Sequence, residues 1–322
     1  MTETVRDEWS GLPYFAYGSN LHDEDRARWC AEHGIVDFLA EELERAWLPD
    51  QAPVFHYLSK ARSGGALSLV ERRGSIVPGA LFRLRPDGLP WLDRKEGCRH
   101  GRDAADPAAR YARERVRVLT RDGRAMDALT YRVVPARRED RLIPPTGDYL
   151  SLVIEGLRRR GLSPAPVEAA AAGESLDHGP EALFVYGSLR RGEVASGKLE
   201  ELGITRRSSG ATAGQLYAVS WYPGMQIDAS ETGEVVGELV EPVSPDALAR
   251  LDEYEDFPGY GVSGALYERR LTRARLAGGR SRLAWVYVYL GEVEESRRLP
   301  GDDWGRRGEL GDLAEPPPDI DA

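Results

Sequence analysis

An internal repeat is the feature that most constrains the fold of this chain. Tyr17-Gly18-Ser19 ends an apolar run, and Tyr186-Gly187-Ser188 ends a similar run in the second half of the sequence. Each copy is followed by a related motif, which is WLDRKEG with Glu96 in the first copy and RLDEYED with Glu255 in the second. A basic segment with a tyrosine near its start comes next, ARYARERVRV in the first copy and ALYERRLTRARL in the second. Three motifs in the same order indicate a diverged tandem duplication, because a short-period solenoid would repeat more often.

Length and composition agree with two domains. A chain of 322 residues, 41% of them apolar, has room for two cores of about 150 residues each. Acidic side chains outnumber basic ones by 53 to 43, which argues against nucleic acid as a partner. Two cysteines are too few for a disulfide framework, and no apolar run approaches 18 residues. We therefore expect a cytoplasmic protein with no membrane partner.

The boundary between the copies is visible as a change in composition. The stretch SPAPVEAAAAGESLDHGPE is rich in Pro, Ala and Gly and has no apolar periodicity, which is typical of a linker. The end of the chain is acidic and proline-rich, which is typical of a disordered tail. The sequence thus predicts a first domain over 1–165, a linker over 166–180, a second domain over 181–307 and a tail over 308–322.

Strand patterns dominate both copies. Alternating, β-branched and aromatic segments occur in the first copy as YFAYG, GALFRLR, ERVRVLT and DALTYRVV, and in the second as LFVYG, AGQLYAV, GEVVGELVEPV, RLTRARLA and LAWVYVYLG. Helical spacing is limited to DEDRARWCAEHG, GDYLSLVIEGLRRRG and SPDALARLDEYED. Many strands with few helices predict the α+β class, because a parallel α/β sheet would alternate strands and helices.

Each Tyr-Gly-Ser motif has two interpretations. As a turn, it uses a glycine that tolerates positive φ and a serine that bonds to nearby backbone. As an anion-holding loop, it lets a ligand approach the backbone, where successive N–H groups can bind a carboxylate or an oxyanion. The pattern is not G-x-S-x-G, so a serine nucleophile elbow is not predicted, and no Gly-rich phosphate loop is present.

The two glutamates also have two interpretations. Glu96 and Glu255 each follow a Leu-Asp pair at the end of a predicted helix, where the helix dipole mildly disfavours a negative charge. Either one alone is explained as a solvated helix-end side chain. Their recurrence after a Tyr-Gly-Ser motif in both copies favours a role in chemistry.

Other chemistries have less support. Five histidines, His22, His33, His56, His100 and His178, are scattered without metal-ligand spacing. Cys98 and His100 are two residues apart, which is poor geometry for a thiol and its base, and the second copy has no cysteine. We therefore expect no metal site and no reactive thiol.

The ordered motifs resemble the gamma-glutamylcyclotransferase family. YFAYGSNL, WLDRKEG and PPTGDYLSLVIEGLRRRGL are similar to the gamma-glutamyl-amino-acid enzymes over Leu12–Leu162. LFVYGSLRRGE, WYPGM, VVGELVEPV, LDEYED and PGDDWGRR are similar to the AIG2-like, gamma-glutamylamine cyclotransferase branch over Leu183–Arg307. The glutathione-specific ChaC branch continues its Tyr-Gly-Ser differently and fits neither copy.

The resemblance implies two tandem mixed β-barrels with flanking helices, with no metal or organic cofactor. It also implies a reaction in which the free α-amine of a small-molecule γ-glutamyl substrate attacks its own γ-carbonyl, releasing 5-oxoproline and an amine or amino acid. Such a ring closure needs a near-attack pose and a base, since the α-amine is an ammonium at neutral pH. The duplication suggests an intrachain pseudo-dimer of barrels.

The resemblance assigns roles to individual residues. Glu96 and Glu255 match the family's acid/base glutamate. The matched substrate-binding positions are Tyr14, Phe15, Ala16, Tyr17, Gly18, Ser19, Asn20 and Tyr149 in the first copy, and Tyr186, Gly187, Ser188 and Leu189 in the second. Asp256 departs from the family, which has glycine there, and this puts the tightness of the turn after Glu255 in question.

Three readings of the function stay open. Both barrels are active, or one is active and the other is structural or regulatory, with the Asp256 copy the more altered. The third reading is a non-enzymatic protein that binds a small carboxylate. Two retained glutamates disfavour the third reading, because a carboxylate next to an anion site repels the ligand unless the chemistry needs it.

Overall fold

The computed structural model describes residues 8–9, 11–98, 109–227, 233–311 and 313. It divides into two compact units: the first is formed by the chain up to Thr120 together with Met126–His178, and the second by Arg121–Ala125 together with the chain from Gly179 onward. The first unit contains β1 (Tyr14–Ala16), α1 (Asp23–Glu32), β2 (Leu39–Ser59), β3 (Gly64–Leu84), α2 (Gly88–Glu96), β4 (Tyr111–Thr120), β5 (Ala125–Val133), α3 (Gly147–Arg159) and α4 (Ala165–Ala172). The second contains β6 (Leu183–Val185), α5 (Ser196–Glu201), β7 (Arg206–Ala213), β8 (Gln215–Ala218), β9 (Pro223–Gln226), β10 (Glu234–Glu241), α6 (Pro245–Tyr254), β11 (Tyr267–Leu276) and β12 (Ser281–Tyr289).

Each unit is built on a closed five-stranded barrel, and the two barrels share one topology. The strand order is β1-β3-β2-β4-β5 in the first and β6-β10-β7-β11-β12 in the second. The first strand of each barrel is antiparallel to one neighbour and parallel to the last strand, with Tyr14 opposite Leu129 and Leu183 opposite Trp285. The α+β prediction of two tandem mixed barrels with flanking helices is confirmed.

The short strands β1 and β6 carry the Tyr-Gly-Ser motifs, and each is seated against a glycine. A Cβ at Gly79 would lie 2.4 Å from the carbonyl oxygen of Ala16, and a Cβ at Gly237 would lie 2.4 Å from that of Val185. Both would also meet a phenylalanine ring on the same short strand, at 2.6 and 2.7 Å respectively. Only glycine allows this close approach, so the two glycines fix the depth at which the motif strands lie in their barrels.

Two hydrophobic cores stabilise the units. Phe15, Leu81 and Val118 are fully buried in the first barrel, and Val235 and Val286 are fully buried in the second. The short strands β1 and β6 are buried at every position, so side chains on both of their faces are covered.

The structure differs from the predicted linker. Residues 165–172 form α4, which has Pro164 at its start and Gly173 in the left-handed conformation at its end. Val167 and Ala170 are buried in the core of the first unit. A short Ala-rich helix is marginal alone, and burial of these side chains stabilises it here. The first unit therefore extends through 166–178, beyond the boundary that composition indicated.

The predicted tail is described only in part. A short 3₁₀ segment, Trp304–Leu310, packs Trp304 into the second core, and the structure describes Gly311 and Leu313 beyond it. The other tail residues lie outside the described residues, as do 99–108 of the insert before Tyr111. Within the described parts, no helix combines the length and the apolar character needed to span a membrane.

Replacing Gly237 by alanine should destabilise the second unit by about 1–3 kcal/mol, because the methyl group overlaps the carbonyl oxygen of Val185 and the ring of Phe184. Thermal and urea unfolding measure the loss. Gly197→Ala is the matched control, since nothing lies within 4 Å of its Cβ position in α5. The control should leave stability unchanged or raise it by up to about 1 kcal/mol. Equal behaviour of the two variants would contradict the close-approach account.

Candidate active sites

Both Tyr-Gly-Ser motifs form the same turn. The N–H of Leu21 donates to the carbonyl of Gly18, and the N–H of Arg190 donates to the carbonyl of Gly187, each at 3.0 Å. The two central residues are Ser19 and Asn20 in one turn, and Ser188 and Leu189 in the other. Their N–H groups take no part in the closing hydrogen bond, so each turn can present two backbone donors to a ligand.

The tyrosine of each motif has a structural role. Tyr17 donates its hydroxyl hydrogen to the carbonyl of Tyr131 at 2.7 Å, and Tyr186 does the same to Tyr287 at 2.7 Å. Burial raises the pKa of both hydroxyls well above the ordinary value, so both remain donors. The phenols thus tie each turn to the last strand of its own barrel.

The aspartate of each Leu-Asp pair lies at the centre of a buried network. Asp93 accepts hydrogen bonds from the Tyr131 hydroxyl at 2.6 Å and from Arg113 Nε at 2.7 Å. In the second unit, Asp252 accepts one from the Tyr287 hydroxyl at 2.8 Å and forms an ion pair with Arg269 at 3.4 Å. The sequence shows the Leu-Asp recurrence, but these distant partners appear only in the folded chain.

Together these bonds form one relay, which we call the Tyr-Tyr-Asp relay. In the first unit it runs from Tyr17 through Tyr131 to Asp93, and in the second from Tyr186 through Tyr287 to Asp252. Each aspartate is three residues before the glutamate, on the helix that leads to it. The relay therefore fixes the position of the glutamate relative to the turn.

Glu96 lies in a polar setting. The side-chain amide of Asn20 donates to Glu96 Oε1 at 2.7 Å and to the Tyr14 hydroxyl at 2.9 Å. Burial raises the pKa of Glu96, while Lys95, the Asn20 amide, Arg110 and Arg62 counteract the rise because they favour the carboxylate.

Glu255 lies in an apolar setting. Leu189 and Leu183 occupy the positions that correspond to Asn20 and Tyr14. Burial raises the pKa of Glu255 to about 8, and the negative charge of Asp252 adds to the rise. The two glutamates thus differ in their electrostatic surroundings, since Lys95, the Asn20 amide, Arg110 and Arg62 favour the charged form of Glu96 and Asp252 disfavours that of Glu255.

A cavity of about 330 Å³ opens beside Glu255. The β8–β9 connection contributes Trp221 and Tyr222, whose rings meet edge to face at 5.0 Å. The other lining residues are Phe184, Val185, Tyr186, Gly187, Ser188, Leu189, Lys198, Pro223, Tyr254, Glu255, Leu266, Tyr267 and Tyr287. All four substrate-binding positions predicted in this unit therefore share one cavity with the predicted acid/base residue.

The first unit brings Tyr149 to its turn through Arg62. The Arg62 guanidinium lies 5.1 Å from the centre of the Tyr149 ring, and it contacts Ser19 Oγ at 3.4 Å and Asp25 at 2.8 Å. Arg62 and Lys95 line a cleft of about 810 Å³ whose walls are mainly charged and polar. Neither basic residue was singled out by the sequence motifs.

Two other predicted positions, Phe15 and Ala16, offer no exposed side chain to a ligand. The side chains of Phe15 and Ala16 are fully buried within the first barrel, so only their backbone is available. Cys98 is buried, and His100, considered as its partner, lies outside the described residues. Across the residues that the structure describes, no group of three or more His, Cys, Asp and Glu side chains is arranged to hold a metal ion.

The departure at Asp256 leaves the turn intact. Gly97 follows Glu96 with φ of 72°, and Asp256 follows Glu255 with φ of 50°. Aspartate is one of the residues that enter the left-handed region at low cost. The residue after each glutamate therefore has the same left-handed backbone conformation. The turn after Glu255 is as tight as the turn after Glu96.

Comparison with known proteins places these sites in a family. The family described as gamma-glutamyl cyclotransferase, AIG2-like matches residues 14–151 and 183–306. A curated relative, gamma-L-glutamyl-butirosin B gamma-glutamyl cyclotransferase of Niallia circulans, is 35% identical over 107 residues, which is 33% of this chain and 65% of the relative. The match thus spans just under two thirds of that relative's length.

Solved structures are similar at lower identity. A structure named gamma-glutamyl cyclotransferase is 23% identical with a TM-score of 0.39, covering 52% of this chain and 88% of that one. YkqA from Bacillus subtilis is 16% identical with a TM-score of 0.35, covering 95% of this chain and 93% of that one. An AIG2-like protein from Mus musculus is 21% identical with a TM-score of 0.29, covering 37% and 95%.

Asp93→Asn should destabilise the first unit by about 3–5 kcal/mol, because it leaves the Arg113 guanidinium without its buried counter-charge. Asp127→Asn is the matched control, since Asp127 pairs with Arg115 and Arg117 nearer the surface and each such pair contributes about 0–1 kcal/mol. Urea unfolding of both variants measures the difference. A loss of under 1 kcal/mol in Asp93→Asn would contradict the structural role of the relay.

Glu255→Gln should raise the melting temperature, and the gain should grow between pH 5 and pH 8.5. The pKa of Glu255 is about 8 in the folded protein and ordinary when unfolded, so the folded state binds more protons in this range. Stability then falls as pH rises, and the neutral amide removes that loss. Calorimetry across this range measures it. Glu96→Gln should show a smaller gain, and a gain in Glu255→Gln that is independent of pH would contradict the buried-carboxylate account.

Proposed function

The chain belongs to the gamma-glutamyl cyclotransferase, AIG2-like family, and from this membership we propose that it cyclises a small γ-glutamyl amide to 5-oxoproline and a free amine or amino acid. One observation carries the proposal: in each unit a relay of hydrogen bonds joins the Tyr-Gly-Ser turn to the helix that leads to the glutamate.

The first step is a proton transfer. The glutamate in its carboxylate form, Glu96 or the ionised fraction of Glu255, takes a proton from the α-ammonium of the γ-glutamyl group. The freed amine then attacks the γ-carbonyl carbon of the same molecule, forming a C–N bond and a negatively charged tetrahedral intermediate. Holding the γ-glutamyl group of the substrate in a bent conformation supplies much of the rate, because intramolecular attack from a near-attack pose avoids the loss of translational freedom.

The second step breaks the amide. The protonated glutamate returns its proton to the leaving nitrogen, and the γ-carbon to nitrogen bond breaks. The products are 5-oxoproline and the amine, and the glutamate is again a carboxylate. In this proposal the N–H groups of Ser19 and Asn20, or of Ser188 and Leu189, bind the oxyanion or the α-carboxylate.

We propose that both barrels are active. The relay, the turn and the left-handed residue after the glutamate are present in both units, and this repetition supports two working sites over one working and one structural barrel. The name of the Niallia circulans relative states a γ-glutamyl derivative of butirosin, and this supports a γ-glutamyl amide of a larger amine for at least one barrel.

Single glutamate replacements test the assignment. Glu96→Gln and Glu255→Gln should each lower 5-oxoproline formation at their own site by about 10²–10⁴-fold, because a positioned acid/base contributes that much. Mass spectrometry should quantify 5-oxoproline from panels of γ-glutamyl amino acids and γ-glutamyl amines, with the double variant included.

Asp127→Asn serves as the control for a surface carboxylate. Substrates lost in one single variant but kept in the other would assign them to separate barrels. Full activity in the double variant would rule out the acid/base roles, and no 5-oxoproline from any substrate with the unaltered protein would favour a binding function.

A further inference from the structure

Nearly all of the 43 lysine and arginine residues of the chain are arginines. The three lysines are Lys60, Lys95 and Lys198. Lys198, in α5, lines the same cavity as Glu255. The mechanism above gives it no role. A lone ammonium in a largely apolar and aromatic cavity is costly unless something offsets it, so its surroundings indicate what it can bind.

Lys198 is held by an aromatic ring. Its Nζ lies 5.1 Å from the centre of the Tyr254 ring, and the Tyr254 hydroxyl lies 3.4 Å from Ser188 Oγ in the Tyr-Gly-Ser turn. In the part of the chain that the structure describes, Lys198 forms no ion pair with a carboxylate. Its charge therefore faces the cavity near the turn, steadied by the ring but not neutralised.

The first unit has a comparable pair built from different elements. Arg62, in the β2–β3 connection, lies 5.1 Å from the centre of the Tyr149 ring and contacts Ser19 Oγ. Asp25 accepts a hydrogen bond from Arg62 at 2.8 Å, so that cation is already neutralised. Both units thus place a cation on a tyrosine face near the serine of the turn, and only the second leaves it without a carboxylate.

The charges that line the second cavity also favour an anionic ligand. Lys198 and Glu255 are its lining residues with basic or acidic side chains. With a pKa of about 8, Glu255 is mostly uncharged near pH 7. The empty cavity then carries a net positive charge, which attracts an anion.

We propose that Lys198 binds a carboxylate of the substrate and is a specificity-determining residue of the second barrel. This inference rests on the proposed cyclotransferase function, since the substrate class supplies the carboxylate. Two sources exist in that class: the α-carboxylate of the γ-glutamyl group, and a carboxylate on the departing amino acid. In either case the lysine acts on binding, while Glu255 moves the proton.

Kinetics on the full chain test the proposal in a Glu96→Gln background, where turnover belongs to the second barrel. The two substrates are γ-glutamyl-butylamide, with only the α-carboxylate, and γ-glutamyl-alanine, with a second carboxylate. Lys198→Gln should raise KM by about 10–100-fold and leave kcat within a few-fold, as expected for a lost charge-assisted hydrogen bond. Lys198→Arg should restore most of the affinity, and Lys60→Gln, which alters an exposed lysine, should change nothing.

The pattern across substrates separates the two sources. A raised KM for both substrates assigns Lys198 to the α-carboxylate, and a raised KM for γ-glutamyl-alanine alone assigns it to the carboxylate of the leaving group. Unchanged KM values for both would overturn the proposal. Melting curves of Lys198→Gln that match those of Lys60→Gln exclude misfolding as the cause.

A binding measurement keeps the test independent of turnover. If the unaltered protein forms no 5-oxoproline, the proposed function fails, and calorimetric titration with 5-oxoproline and with glutamate then examines Lys198 directly. Binding that weakens about 10–100-fold in Lys198→Gln and returns in Lys198→Arg would support the carboxylate site without the reaction. Absent binding, or binding indifferent to Lys198, would overturn it.

Discussion

A single residue on the last strand of each barrel organises the site around it. Tyr131 accepts a hydrogen bond from Tyr17 at its carbonyl and donates one from its hydroxyl to Asp93, and Tyr287 does the same between Tyr186 and Asp252. These bonds lie in the protein interior, where they are stronger than at the surface and where an unmade one is costly. The turn and the helix with the glutamate therefore cannot shift independently. The ring closure proposed above relies on this constraint.

On that common frame, the two units give their glutamates different surroundings. Lys95, the Asn20 amide and other cations nearby favour the carboxylate form of Glu96, whereas burial and the charge of Asp252 raise the pKa of Glu255 to about 8. The same contrast extends to the cations near the turns, since Arg62 is paired with Asp25 and Lys198 is not. A shared backbone arrangement thus coexists with different electrostatics, and this is the physical basis for expecting two substrate preferences.

Much of the fold was readable from the sequence, because its signals are local or repeated. The alternation in LAWVYVYLG, the Ser-Pro-Asp start of α6 and the recurrence of Tyr-Gly-Ser each indicate their structure within a few residues. The pairing of Asp93 with Arg113 is not local, and neither is the stacking of Lys198 on Tyr254, because only closure of the barrel or docking of α5 brings these residues together. Composition predicts a linker where α4 forms, because the helix is stabilised by burial of Val167 and composition does not show burial.

Each Tyr-Tyr-Asp relay is completed by residues of its own unit, with Tyr17, Asp93 and Tyr131 in one and Tyr186, Asp252 and Tyr287 in the other. A substitution next to one glutamate therefore leaves the hydrogen bonds that position the other unchanged. In evolutionary terms the chain holds both products of a duplication in one polypeptide. One unit can therefore acquire a new specificity while the other unit keeps the old one. The two copies already differ at this level, since Leu189 stands where the first copy has Asn20.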